Sequence, residues 1–396
     1  HIQAAGHTTR HTYDRSGRLT QTTHSGGIST HQIWDGAGRI QSIRHSQGVA
    51  TLQSSHYLYD RNGNRTEQTQ QFGDDSSQAI TTYYQYDGAD RLIASSDSRG
   101  QSESYTLDAS GNKTHISRSG HPSSASASTV NSHPNGLSTL VYDARGQLQS
   151  LSTAEYQISY QWDASGHLTE ETISAGANPG HNHSRTYQWN AAGQLIGIHQ
   201  GANPIARYRY SGHSLRDQTQ TASGTSHTVW DGQFAYLLQD QDGHTLTRTE
   251  RDGLTPLVVH AQGGYKEVLL TDGLQSVTAS AQASGSTLQS QSEYDAWGSR
   301  AQSGNSASRH GYTGHLHDSE SGLIYARARY YNPILGRFIS QDPLQGLLDS
   351  PITWNAYVYG NANPLIYIDP NGQIAILADG ASMLGNWGEW LKDYSN

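Results

Sequence analysis

Two Asp-Pro steps, Asp342-Pro343 and Asp369-Pro370, hold the residue types in this chain best suited to chemistry. The second continues into Asn371-Gly372, which is turn chemistry, and then into Gln373-Ile374. Two carboxylates brought close cannot both ionise, so one keeps its proton near neutral or mildly acidic pH. The ionised partner then takes a proton from water while the protonated one donates to a carbonyl. Such a pair titrates as a unit. The two aspartates lie 27 residues apart, so the fold has to bring them together.

Other reactive types are scattered. There are 21 histidines. His315 and His317 share a face if they lie on a strand, and His181 and His183 stand two apart in a stretch that reads as a loop. Zinc needs three or four convergent ligands, so these read as surface histidines, and no metal or cofactor is expected. The chain has no serine nucleophile elbow, phosphate loop, HExxH or CxxC. Arg327, Arg329, Tyr330 and Tyr331 mix cations with aromatics and read as packing residues.

Bulk properties exclude several classes. The net charge is -9 with no Lys/Arg block, which argues against a nucleic-acid partner. Cysteine is absent, so no disulfide framework exists. No apolar run reaches the ~18 residues of a membrane-spanning helix. His1 is not an initiator Met and no signal peptide follows, so the N-terminus is expected to come from cutting a longer chain.

The elements that position the aspartates are repeats. One phrase recurs: aromatic, Asp, two variable residues, Gly, polar, then Leu or Ile. It reads Tyr13-Asp14-Arg15-Ser16-Gly17-Arg18-Leu19, Trp34-Asp35-Gly36-Ala37-Gly38-Arg39-Ile40 and Trp162-Asp163-Ala164-Ser165-Gly166-His167-Leu168. Further copies start at Tyr59 and Tyr142, with weaker ones at Tyr86, Leu107, Trp189 and Tyr294. A period in the ~20–50 residue range marks a repeat architecture. Polar, alternating stretches flank each copy and read as strands with one packed face. Asp supplies an acceptor for backbone N–H groups and Gly the positive φ of a bend, so each repeat is expected to be a β-hairpin. The repeated aspartates therefore read as turn formers, not as a catalytic set.

The phrase resembles the YD repeat of the RHS-repeat family, which includes teneurins and the C component of insecticidal toxin complexes. A later block strengthens the resemblance. Gly311-Tyr312-Thr313-Gly314 leads through Asp318 and Gly322-Leu323 to Tyr325-Ala326-Arg327-Ala328-Arg329-Tyr330-Tyr331, then Gly336-Arg337-Phe338 and Asp342-Pro343. This is similar to the RHS core-associated block. Leu269-Leu270-Thr271-Asp272-Gly273-Leu274 is similar to a segment upstream of it.

The resemblance implies an all-β fold, with hairpins wound into a spiralling sheet that forms a hollow shell or barrel closed by a C-terminal plug. It implies a shell over 1–307, a core-associated domain over 308–373 and a tail over 374–396. Function follows as the scaffold of a bacterial secreted toxin system that encloses its own C-terminal effector, with secretion or toxin-complex components as partners. In such relatives the two Asp-Pro aspartates are similar to an aspartyl-protease dyad. Carried over, the resemblance makes Asp342 and Asp369 catalytic and puts a self-cut between Gln373 and Ile374. Arg337, Pro343, Pro370 and Gly372 would support them, Arg337 structurally. Two departures from the family pattern stand out: Leu344-Gln345 precede Gly346, and Gln373 replaces a usual Leu. A second reading is a secreted or cell-surface protein whose Tyr/Trp-rich faces bind glycans or partner cells. A third is a glycan-acting enzyme.

Overall fold

The computed structural model describes residues 2–4, 7–121, 135–175, 182–348 and 350–378. His181, most of the Ser-rich stretch from Ser117 to Pro134 and the tail beyond 378 lie outside them.

Twenty-seven strands, from β1 (Ile2–Ala4) to β27 (Arg300–Gly304), form one sheet. Each strand is antiparallel to the next, as in β2 (His7–Tyr13) with β3 (Leu19–His24), and β14 (Gln157–Trp162) with β15 (Leu168–Ser174). The expected hairpins are therefore present, and the wall is a continuous meander.

The turn chemistry is uniform. Asp14 Oδ1 accepts the N–H groups of Ser16 at 2.8 Å and Arg18 at 2.9 Å, while its Oδ2 accepts Arg18 Nε at 2.7 Å. Gly17 sits at φ 79°, a left-handed bend that an L side chain resists. The same carboxylate cap recurs at Asp35, Asp60, Asp87, Asp108, Asp143 and Asp163. It also forms at Asp240, Asp272 and Asp295, where the phrase is degenerate, and the Asn190 amide oxygen takes the same place. The ladder slips at the aromatic, between Thr12 and Tyr13 and again between Ile33 and Trp34. These bulges accommodate an extra residue and bend the strand.

The aromatic does more than fill space. Trp34 Nε1–H donates to Leu19 O at 2.8 Å, Tyr59 OH to Ile40 O at 2.7 Å and Trp162 Nε1–H to Leu148 O at 2.8 Å. Trp189, Tyr210 and Trp230 make the equivalent bond to Leu168, Leu195 and Arg216. The acceptor is the residue at the Leu/Ile position one repeat earlier. A ring with a polar tip is needed at this position, which favours Tyr and Trp over Phe there.

Two large cores follow from the curl of the sheet. One unites wall residues such as Leu92, Ile116, Leu148, Leu168 and Leu195 with Leu316, Tyr325, Tyr330 and Leu335 of the later block. The other joins Ile28 and Leu52 to Val258, Val268, Leu270 and Ala281. Early and late strands thus pack against each other through side chains.

The later block is a four-stranded antiparallel sheet of β28 (Leu316–Asp318), β29 (Leu323–Ala326), β30 (Arg329–Asn332) and β31 (Arg337–Phe338), followed by a hairpin of β32 (Tyr367–Ile368) and β33 (Ile376–Leu377). It is pinned to the wall by Arg216, whose guanidinium grips Asp318 through both carboxylate oxygens. Tyr208, Tyr325 and Tyr330 surround that guanidinium.

Two sequence expectations need correction. The stretch 174–186, read as a loop, is strand at both ends: Ser174 ends β15 and residues 183–186 open β16 (His183–Trp189). The histidines are not all superficial either. His7, His24, His45 and His315 are buried, because inward positions of these strands are filled by polar residues as well as apolar ones.

Candidate active site

The β32–β33 hairpin carries the second aspartate at its bend. Asp369 directly follows β32, and Asp369-Pro370-Asn371-Gly372 makes the turn. The Asp369 carboxylate folds back over it: Oδ1 accepts the N–H groups of Gln373 at 2.9 Å and Ile374 at 3.1 Å. Asn371 Oδ1 accepts the same two N–H groups at 3.1 and 3.2 Å. The peptide between Gln373 and Ile374 is thereby held against Asp369. Gly372 sits at φ 77°, and a Cβ on it would run into the Ala326 carbonyl oxygen, so this turn lies directly on the β29–β30 bend. Ala328 N–H donates to Asn371 O at 3.1 Å and completes that contact.

Asp342 arrives from the other side. Its N–H donates to Ala356 O at 2.9 Å and its Oδ1 accepts Leu344 N–H at 2.9 Å. Between the two aspartates lies Arg329, the first residue of β30. Its Nη2 stands 2.7 Å from Asp342 Oδ2 and 3.3 Å from Asp369 Oδ2. Its Nε donates to Gly372 O and its Nη1 to Ala356 O at 2.9 Å. One buried guanidinium therefore touches both carboxylates and the carbonyl one residue before the Gln373–Ile374 peptide. The sequence reading gave Arg329 only a packing role. The signal that identifies it is the need of a buried acid pair for a cation within reach.

Burial holds both carboxyls above the ordinary carboxylate range. Burial pushes Asp342 up to about 6, with Arg329 pulling it down and Asp369 pushing it further up. Burial also raises Asp369, against the opposing pull of Arg329 and of the N–H groups of Gln373 and Ile374. Asp369 is buried, whereas the Asp342 side chain keeps 15% of its surface open, enough to admit water.

The remaining sequence candidates separate. Pro343 and Pro370 follow the aspartates, and Gly372 accepts the bond from Arg329. Arg337 is not at the site: it donates to Gly146 O and lies over the rings of Tyr142 and Tyr357, at 4.8 and 5.1 Å, so it ties the block to the wall. His315 was read as a surface residue but is buried, with Nε2 3.0 Å from Asp369 O. His317 Nε2 accepts Tyr312 N–H at 2.8 Å.

Comparisons with known proteins come from the chain as a whole. A family model described as Teneurin YD-shell matches residues 12–365. A tRNA3(Ser)-specific nuclease WapA of Bacillus spizizenii is 29% identical over 248 residues, covering 58% of this chain and 11% of that protein. A probable deoxyribonuclease RhsA of Dickeya dadantii is 28% identical over 333 residues, covering 76% of this chain and 22% of that protein. This chain thus spans less than a quarter of these relatives. Among solved structures, a TcdB2-TccC3-Cdc42 crystal structure is similar over 93% of this chain and 22% of that one, at 20% identity and a TM-score of 0.48.

Proposed function

The chain belongs to the teneurin YD-shell family, and from that premise we propose that it is shell material of a secreted or surface-exported bacterial toxin system, holding an effector segment that lies beyond Ile374. In this reading 1–307 form the wall, 308–373 the plug and 374–396 the start of the region to be released. The nuclease names of the WapA and RhsA relatives support an effector context. Secretion or toxin-complex components would be its partners.

Release would follow from a cut at Gln373–Ile374 by Asp342 and Asp369. The observation that carries this is Arg329 touching both carboxylates while Asp369 holds the Gln373 and Ile374 N–H groups. The ionised carboxylate of the pair takes a proton from water, and the oxygen attacks the Gln373 carbonyl carbon. The protonated carboxylate donates to the carbonyl oxygen. Collapse breaks the C–N bond, leaving a carboxylate on Gln373 and an amino group on Ile374, so one water is consumed. Arg329 keeps the pair from holding two protons at mildly acidic pH and fixes its geometry.

Intact-mass spectrometry of the purified chain tests the cut. The expected result is a break between Gln373 and Ile374 that disappears in Asp342→Asn. An uncut wild type removes the protease and leaves the shell reading standing.

A further inference from the structure

Histidines concentrate where the wall meets itself. His7 on β2 places Nε2 3.3 Å from Nδ1 of His24 at the end of β3, and Thr9 Oγ1 lies 3.2 Å from the same Nδ1. His45 on β5 (Ile40–Gln47) pairs with Thr30 Oγ1 at 2.8 Å and reaches across to Thr271 O at 2.9 Å, at the end of β24 (Lys266–Thr271). The His7 ring stands edge-on to His260 of β23 (Thr255–Ala261), with centroids 6.2 Å apart. His11 of β2 lies 3.8 Å from Asp252, which ends β22 (Thr245–Asp252). Here 226 residues of sequence separate partners in a single bond, and the seam is closed by side chains.

We propose that this seam is an acid-sensitive latch, in which protonation of its buried histidines parts β2–β5 from β22–β24 while the rest of the wall stays paired. His7 faces His24, Glu250, His260 and Lys266. His24 faces His7, His11 and His45. His45 faces a backbone carbonyl. Glu250, the carboxylate facing His7, already pairs with His260 and Arg248. A proton arriving at His24 or His45 therefore meets like charge or a dry wall. The cluster does not serve a metal in its place, because among the described residues it does not bring three donor atoms together.

The sign follows from burial. It lowers His24 to about 3 and His45 to about 4, and it lowers His260 to about 4. Once the seam opens, these groups return toward 6.5. The closed form is thus fully favoured above about 6.5 and loses ground as pH falls toward 4. Each histidine held neutral tilts the balance toward opening by roughly tenfold per pH unit below about 6.5. Glu250 acts in the opposite direction, since burial raises its pKa and the closed form takes up its proton more readily.

Hydrogen exchange of the full chain, read by mass spectrometry at steps from about pH 7.5 to 4.5 and corrected for intrinsic rates, tests the latch. Residues 7–47 and 248–283 are expected to lose protection below about pH 6.5 while residues 142–216 keep theirs. His24→Gln and His45→Gln are each expected to move that loss to lower pH. The proposal is overturned if residues 142–216 lose protection along with the seam, if the seam stays protected to pH 4.5, or if neither variant shifts the midpoint. Should a variant fail to fold, the regional comparison in the wild type still decides.

Discussion

Arg329 Nη2 lies 2.7 Å from Asp342 Oδ2 and 3.3 Å from Asp369 Oδ2, so a single guanidinium nitrogen joins two carboxylates that are 27 residues apart in sequence. It is the centre of the candidate site, and replacing it is the most informative change. Arg329→Gln removes the charge and the fork together. Self-cleavage should slow by about 10²–10³-fold, as for loss of one preorganised donor. The alkaline limb of its pH profile should also move upward, because a carboxylate that loses a cation holds its proton longer. A slower cut with an unmoved profile would reduce Arg329 to a structural role.

The wild-type profile has its own expected shape. Asp342 is pushed up to about 6, so the singly protonated pair is populated near that pH and depleted above it. Cleavage timed by gel should be fastest below about pH 6 and fall by roughly tenfold per unit above it. A rate that climbs steadily to pH 9 would point to different chemistry.

Gly372→Ala should stop the cut without dismantling the wall. The φ of 77° and the approach of Ala326 O leave no room for a methyl group, so the hairpin bend must shift. Circular dichroism should be unchanged while intact mass reports an uncut chain. Normal cleavage in this variant would show that the bend tolerates displacement.

Tyr59→Phe isolates one rung of the aromatic ladder. It leaves the ring and strips Ile40 O of its donor. The expected loss is about 1 kcal/mol in denaturant unfolding. An unchanged midpoint would mean that solvent replaces the hydroxyl at no cost.

Asp318→Asn tests the pin between wall and plug. It strands the Arg216 guanidinium among three tyrosine rings and weakens the hold on Arg309, whose Nη2 lies 2.7 Å from Asp318 Oδ1. Breaking one side of such a pair should cost about 3–5 kcal/mol, and Arg216→Met with Asp318→Leu should recover much of it. Failure of the double variant to recover would assign the cost to lost packing.

The wall was readable because its period sets both strand and turn. Every clear Asp-x-x-Gly phrase formed the same capped bend, and even Asn190 took the Asp role. The two aspartates of the candidate site were singled out through the family resemblance, which their Asp-Pro steps carry. Arg329 was not, because a guanidinium shows its partners only in three dimensions. The buried histidines were hidden for another reason. On β2 the inward positions are His7 and Thr9, so alternation of polar with polar gave no sign of which face was covered.

The ladder also has a direction. Trp34, Tyr59, Trp162, Trp189, Tyr210 and Trp230 all donate to a carbonyl that precedes them in the chain. A polypeptide emerging from its N-terminus, from a ribosome or through a narrow export channel, would find each new ring's acceptor already in place. The wall can therefore lengthen one hairpin at a time, while the seam, the Arg216–Asp318 pin and the Arg337 tie wait for distant residues to arrive.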